Sequence, residues 1–208
     1  MSSIELPELG FGGAPLGNLF DSISDHIARD TVDAAWDAGI RLFDTAPLYG
    51  SGLSERRLGD ALRDRPRDDY VLSTKVGRLL QPGAEPDSVF RDTPALRPVF
   101  DFSADGVRRS LESSLERLGV DRIDIVHVHD PDDHLDQAIT EALPALVDLR
   151  DQGVIRAVGC GMNSTAPLAR IVRDADVDVV LVAGRYTLLD RSADSELLPL
   201  CLERNVQV

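Results

Sequence analysis

The sequence predicts an α/β chain folded as a (β/α)8 barrel of the TIM type, and three observations point there. Short apolar runs rich in Val and Ile alternate with amphipathic stretches that carry helix caps, the pattern of parallel βα units. The glycine-rich segment Gly10-Phe-Gly-Gly-Ala-Pro-Leu-Gly17 has the wrong spacing for the G-x-G-x-x-G turn of a dinucleotide-binding doubly wound sheet, and it holds a proline. Polar residues stand at or just after the ends of successive runs, where a barrel gathers its mouth.

Leu9–Gly13 reads as the first strand. Ser24 can N-cap a helix from Asp25 to Asp37, with Ile27, Thr31, Ala34, Ala35 and Ala38 on one face and Gly39 as its stop. Ile40–Asp44 is the second strand, and Ser54 is the expected cap of a helix through Arg63. Tyr70–Lys75 is the third strand. The stretch Gly77–Phe102, with prolines at 82, 86, 94 and 98, reads as a long loop at the substrate mouth. Ser103 opens a helix whose stripe is Val107, Leu111, Leu115 and Leu118, closed by Gly119. Ile123–His129 is the fourth strand. A helix over Asp136–Asp151 must kink or restart at Pro144. Ile155–Cys160, a helix from Thr165, Val177–Ala183 and a helix from Ala193 follow, and Val206–Val208 opens a seventh strand. The 208 residues therefore read as a single barrel domain of six βα units and a strand stub, with its C-terminal units missing. An open barrel edge exposes apolar strand surface, so the native chain is expected to continue past Val208.

Composition narrows the partners. A net charge of −14 repels nucleic-acid backbones and anionic lipid, and no apolar run reaches 18 residues. The first eight residues lack the basic and apolar regions of a secretory signal, and two cysteines, Cys160 and Cys201, suit a reduced, cytoplasmic chain. There are 21 arginines but a single lysine, Lys75. Its position is informative, because arginine cannot lose its proton or act as a compact point charge.

Asp44, Tyr49, Lys75 and His129 form a coherent acid–base set. A phenol is a poor acid near neutrality. A neighbouring ammonium stabilises its phenolate, and an aspartate holds the ammonium. A histidine beside the reacting oxygen orients it. Each residue alone has a bland reading as a turn, a loop aromatic, a solvated strand end or a core histidine. Four complementary types at successive strand ends do not.

The stretch Gly39-Ile-Arg-Leu-Phe-Asp-Thr-Ala-Pro-Leu-Tyr-Gly50, with Ser54-Glu-Arg-Arg-Leu-Gly59 after it, closely resembles the aldo-keto reductase signature. So do Ser73-Thr-Lys75, Ser114-Leu-Glu-Arg-Leu-Gly119 with Asp121-Arg-Ile-Asp124, and Leu149-Arg-Asp-Gln-Gly-Val-Ile-Arg-Ala-Val-Gly159. The resemblance implies a (β/α)8 barrel, the catalytic tetrad Asp44, Tyr49, Lys75 and His129, and NAD or NADP extended across the mouth. His129 matches the family position, five residues after Asp124, which leaves His127 one layer deeper on the same strand face. Where the family carries Ser-Asn after strand five this chain has Gly161-Met-Asn163, and its nicotinamide-contacting glutamine becomes Ala183. The cofactor contacts implied are Gly13, Asn163 and Tyr186. The segments that hold pyrophosphate and the 2′-phosphate lie outside residues 1–208, so NAD and NADP are not distinguished, and the 208-residue chain is expected to bind either poorly. His129-Asp-Pro-Asp-Asp-His134 and Ala183-Gly-Arg-Tyr186 resemble the sugar dehydrogenase branch, typified by L-fucose and D-threo-aldose 1-dehydrogenases, which oxidise an aldose at C1 to a lactone. Pyridoxal dehydrogenases resemble this branch too. The expected partner is thus a small sugar or carbonyl compound, in an oligomeric state the sequence does not define.

Two other readings use the same fold. One is a non-enzymatic, cofactor-sensing regulatory subunit, since a site can be kept while turnover is slow. The other is a metal-dependent barrel hydrolase using His127 and His129. It lacks further ligands on later strands, because only His26 and His134 remain, so no metal is expected.

Overall fold

The computed structural model describes residues 4–83 and 88–208. Positions 84–87, Pro86 of the expected loop among them, lie outside the described residues, as do residues 1–3. Six parallel strands form one curled sheet: β1 (Phe11–Gly12), β2 (Leu42–Asp44), β3 (Val71–Val76), β6 (Ile125–His129), β7 (Ala157–Met162) and β8 (Val179–Val182), paired in that order. Helices α1 (Asp25–Asp37), α2 (Leu53–Leu62), α3 (Ala104–Leu118), α5 (Leu143–Asp151), α6 (Thr165–Asp174) and α7 (Leu197–Arg204) cover its outer face. This is the barrel architecture the alternation of runs predicts.

The period-two alternation of each strand builds two cores. Outward residues such as Phe43, Leu72, Val126, Val128, Val158 and Val180 pack against the helices. Trp36 of α1 stacks on Phe43 at 6.3 Å, and Tyr70 meets Phe43 edge-on at 6.2 Å. Inward residues at the strand starts form a smaller cluster, in which Ile125, Ala157 and Val179 close on Ile4 from the N-terminal segment. Ile4 therefore plugs the floor of the barrel, opposite the end where the polar residues gather.

Several element boundaries depart from the sequence reading. The second strand starts at Leu42 rather than Ile40, because Ile40 still donates to Ala35 O at 3.0 Å to finish α1. Only Phe11 and Gly12 of Leu9–Gly13 pair as a strand. β7 begins at Ala157, since the N–H groups of both Arg156 and Ala157 go to Asp124 O, and it runs to Met162. β8 spans Val179–Val182 of the expected Val177–Ala183.

Ser54 does not cap α2. Gly52, at φ 86°, occupies the N-cap, and the buried Ser54 hydroxyl donates to Gly13 O at 2.7 Å and pairs with Thr45 Oγ1 at 2.8 Å. Ser24 and Ser103 cap as expected, accepting from Ile27 N and Gly106 N, and Gly119 ends α3 in the left-handed conformation. Pro144 coincides with a change of helix type. The short α4 (Leu135–Gln137) passes into a π-helical turn, Ala138–Ala142, where Leu143 N–H reaches Ala138 O, and Pro144 then falls in the first turn of α5 with the helical backbone unbroken. α7 starts at Leu197, after a 3-10 turn at Ser192–Asp194.

The stretch 77–102 is not a plain loop. It carries an antiparallel ribbon, β4 (Arg78–Pro82) with β5 (Leu96–Phe100). Pro82 and Pro98 disguised it, and an isolated two-stranded ribbon tolerates them because it has edges on both sides. Within Val206–Val208, Gln207 bridges Val179 in parallel, consistent with the start of a further strand beside β8.

Candidate active site

The mouth is built from strand register. Asp44 ends β2, opposite Ser73 on β3; Lys75 stands two residues further along β3, opposite His127; His129 ends β6, opposite Gly161. All point inward. Lys75 is 1% exposed, and its Nζ donates to Asp44 Oδ2 at 2.5 Å and to Thr45 O at 2.8 Å. Ser73 Oγ donates to the other Asp44 oxygen at 2.8 Å. Burial opposes the ammonium, yet the charges of Asp44 and Tyr49 outweigh it and hold the Lys75 pKa above the ordinary lysine value.

Tyr49 comes from the turn after β2. The ammonium of Lys75 lies 4.7 Å from the centroid of its ring, and His129 meets that ring edge-on at 5.9 Å. The turn is wedged in place by two glycines. A Cβ on Gly17 would sit 2.6 Å from Tyr49 C, and one on Gly50 would sit 2.3 Å from Gly17 O. Only bare backbones approach so closely.

Both barrel histidines are neutral. Burial pushes the His127 pKa down to about 4, against a raising effect of Asp44. Burial, then the cations Lys75 and Arg78, puts His129 well below its ordinary value. Gly159 on the inner face of β7 makes room for His127, because a Cβ there would meet its Nδ1 at 2.3 Å. Beside His129, Asp130 lies with its carboxylate 3.5 Å from Nε2 and 3.0 Å from Arg78 Nη2. A cavity of about 290 Å³ opens along the barrel interior past Asp44, Ser73 and His127.

The structure thus brings Asp44, Tyr49, Lys75 and His129 together. It separates the other sequence-derived positions. Gly13 is buried against β2, with its N–H on Asp44 O at 2.7 Å and its carbonyl taken by Ser54. Asn163 and Tyr186 stand exposed on the rim beyond β7 and β8, and Arg185 Nε donates to Asn163 O at 2.5 Å. Sequence reasoning missed Ser73, whose place two residues before Lys75 was a usable signal, and Phe90, whose ring lies 6.1 Å from that of Tyr49. It gave no signal for Phe90. Among the described residues, no group of three or more His, Cys, Asp or Glu could hold a metal ion, and no helix is long and apolar enough to cross a membrane.

Against known proteins, the profile described as the aldo/keto reductase family matches residues 8–208. The chain belongs to the aldo/keto reductase family. Among this family's members, it is 49% identical to a D-threo-aldose 1-dehydrogenase from a Pseudomonas species over 97% of this chain and 64% of that protein. It is 40% identical to a pyridoxal 4-dehydrogenase of Microbacterium luteolum (99% of this chain, 66% of that protein) and 36% identical to L-galactose dehydrogenase of Arabidopsis thaliana (100% and 61%). The holo form of an aldo-keto reductase from Bacillus halodurans superposes with a TM-score of 0.75 at 31% identity, over 97% of this chain and 60% of that one. The chain spans between 61% and 66% of the length of these three curated relatives.

Proposed function

We propose that this aldo/keto reductase chain carries the proton-transfer centre of an NAD(P)-dependent oxidoreductase acting at C1 of an aldose or on a related carbonyl compound. One observation carries the reading: a single ammonium is fixed by Asp44 at 2.5 Å and lies 4.7 Å from the ring of Tyr49. That arrangement supports phenolate charge when Tyr49 gives up its proton. The three relatives above, named for an aldose, pyridoxal and L-galactose, support the substrate class.

The rim suits a nicotinamide. Tyr186 is 57% exposed and offers a flat aromatic face, while the Asn163 amide can both donate and accept toward a carboxamide. Asn163 and Tyr186 are the residues that would hold that end of NAD or NADP. Bound there, the cofactor supplies the hydride acceptor or donor. Tyr49 takes the proton of the C1 hydroxyl in the oxidative direction and returns one to the carbonyl oxygen in the other. Neutral His129 orients that oxygen by hydrogen bonding, and Lys75 carries the compensating charge without leaving Asp44.

The test is absorbance at 340 nm with aldoses and aldehydes, on protein that includes the C-terminal region its relatives carry, with Tyr49→Phe beside the wild type. The expected result is turnover by the wild type and a loss of 1,000-fold or more in the variant, with NAD(P)H affinity unchanged. Turnover retained in Tyr49→Phe removes the phenol from the mechanism.

A further inference from the structure

Residues 88–92, in the connection between β4 and β5, form a strip that is fastened beside Tyr49. Phe20 N donates to Val89 O at 2.9 Å, Leu19 and Phe90 form an antiparallel bridge, and Ser22 hydrogen-bonds Asp92. The fastening centres on Asn18, which is 2% exposed and adopts a left-handed backbone at φ 66°. Its Nδ2 donates to Arg91 O at 2.9 Å, and its own carbonyl accepts from Arg91 N at 3.0 Å. Its Oδ1 receives Arg57 Nη1 at 2.7 Å and Ile23 N at 3.1 Å. Arg57, 8% exposed, reaches from α2 to bind Asp25, Leu16 O and Ile23 O as well. The strip is therefore tied to the helix that follows the Tyr49 turn.

These ties are to main-chain atoms or to neighbours of Phe90, and none requires an aromatic ring at position 90. Yet a partly buried phenylalanine stands there, tilted 35° to the Tyr49 ring at 6.1 Å. Lys75 and His129 meet the same tyrosine, with the Asp130–Arg78 pair beyond His129. An apolar aromatic ring and hydrogen-bonding groups gathered at one tyrosine match a molecule that carries both kinds of surface. A sugar in its closed ring form has both, with polarised C–H groups on one face and hydroxyls around the rim; the aromatic ring's negative face attracts the former. An open-chain aldehyde presents no such face.

We propose that Phe90 is a specificity-determining residue, a platform for the C–H face of a ring-form sugar, and that Asn18 is the positioning residue that clasps it beside Tyr49. The proposal rests on the functional reading above. It is tested, in protein that includes the C-terminal region its relatives carry, with Phe90→Ala, Phe90→Trp and Asn18→Gly, the last keeping the left-handed backbone while removing the side-chain bonds. The probes are L-fucose, which closes to a ring, and glyceraldehyde, which is too short to do so. Phe90→Ala should raise the KM for L-fucose tenfold or more, leave kcat within threefold, and leave kcat/KM for glyceraldehyde within twofold. Phe90→Trp should preserve the L-fucose KM, and Asn18→Gly should raise it in the same direction by a smaller factor. Equal losses on both probes, or none, overturn the platform. An unchanged KM in Asn18→Gly overturns the clasp. If the wild type turns over neither probe, the functional reading fails on its own. The platform is then judged by saturation transfer from protein to the ring hydrogens of L-fucose, which must be seen in the wild type and lost in Phe90→Ala.

Discussion

The two ends of this barrel use aspartate in opposite ways. At the floor, Asp124 accepts Leu72 N at 2.8 Å and Arg67 Nη2 at 2.6 Å, while its own N–H returns to Leu72 O at 2.9 Å. Asp178 repeats the device two βα units along the sheet: Val158 N at 2.8 Å, Arg150 Nη1 at 2.9 Å, and Asp178 N to Val158 O at 2.8 Å. Each fastens the strand behind it to the strand it precedes. At the mouth, Asp44 holds the ammonium of the chain's one lysine, with the phenol ring 4.7 Å from it. Arginine's planar fork can bind a carboxylate and backbone carbonyls together, as Arg67 does with Asp124, Tyr70 O and Arg122 O. That makes a good structural tie. A point charge with one side left for a phenol is a different requirement, and lysine meets it.

The sharpest way to break this contrast is Lys75→Arg. With the site 1% exposed, the fork has no room beside Tyr49, so turnover should fall 100-fold or more while charge is conserved. Steady-state rates at 340 nm check it, and activity within threefold of wild type would erase the distinction between the two ends. Asp124→Asn attacks the floor instead. Leaving Arg67 without its anionic partner at a carboxylate only 3% exposed should cost about 3–5 kcal/mol in urea unfolding, with kcat per folded molecule unchanged. A large kcat loss without destabilisation would join the floor to the chemistry.

Acid probes the mouth from a third side. His127 is held at about 4, whereas an unfolded histidine titrates near 6.5, so the unfolded chain binds the extra proton first. Stability is fully present above about pH 6.5 and falls as pH drops toward 4. At pH 5 the loss from His127 is about 2 kcal/mol. His129 is shifted in the same direction and adds to it. Thermal melts at pH 7 and 5 test this, and His127→Gln should flatten the difference. The smallest effect belongs to Asp178→Asn. Its carboxylate is 33% exposed and screened by water, so the cost should be about 1 kcal/mol in the same urea experiment.

How much of this could be read beforehand varied with the kind of information. Helix starts at Ser24 and Ser103 were legible because capping is local: hydroxyl, backbone N–H and cap lie within three residues. Ser54 carried the same local signal and was misread, since its hydroxyl is claimed by Gly13 O, 41 residues away. The ribbon of β4 and β5 was hidden by its prolines, and the contact of Phe90 with Tyr49 left no trace in spacing at all.

The amino-acid order by itself determined the alternation of strands and helices, the inward side of each strand, and hence that Asp44, Lys75 and His129 share one interior. These follow from periodicities of two and 3.6, which neighbours along the chain set. Tertiary structure alone decided which polar groups touch. The 2.5 Å reach of Lys75 to Asp44, the neutrality of His127 and His129, and the placement of Phe90 all depend on strand register and on the water that packing removes. Distance and burial belong to the folded assembly, because they arise between segments that the linear chain holds far apart.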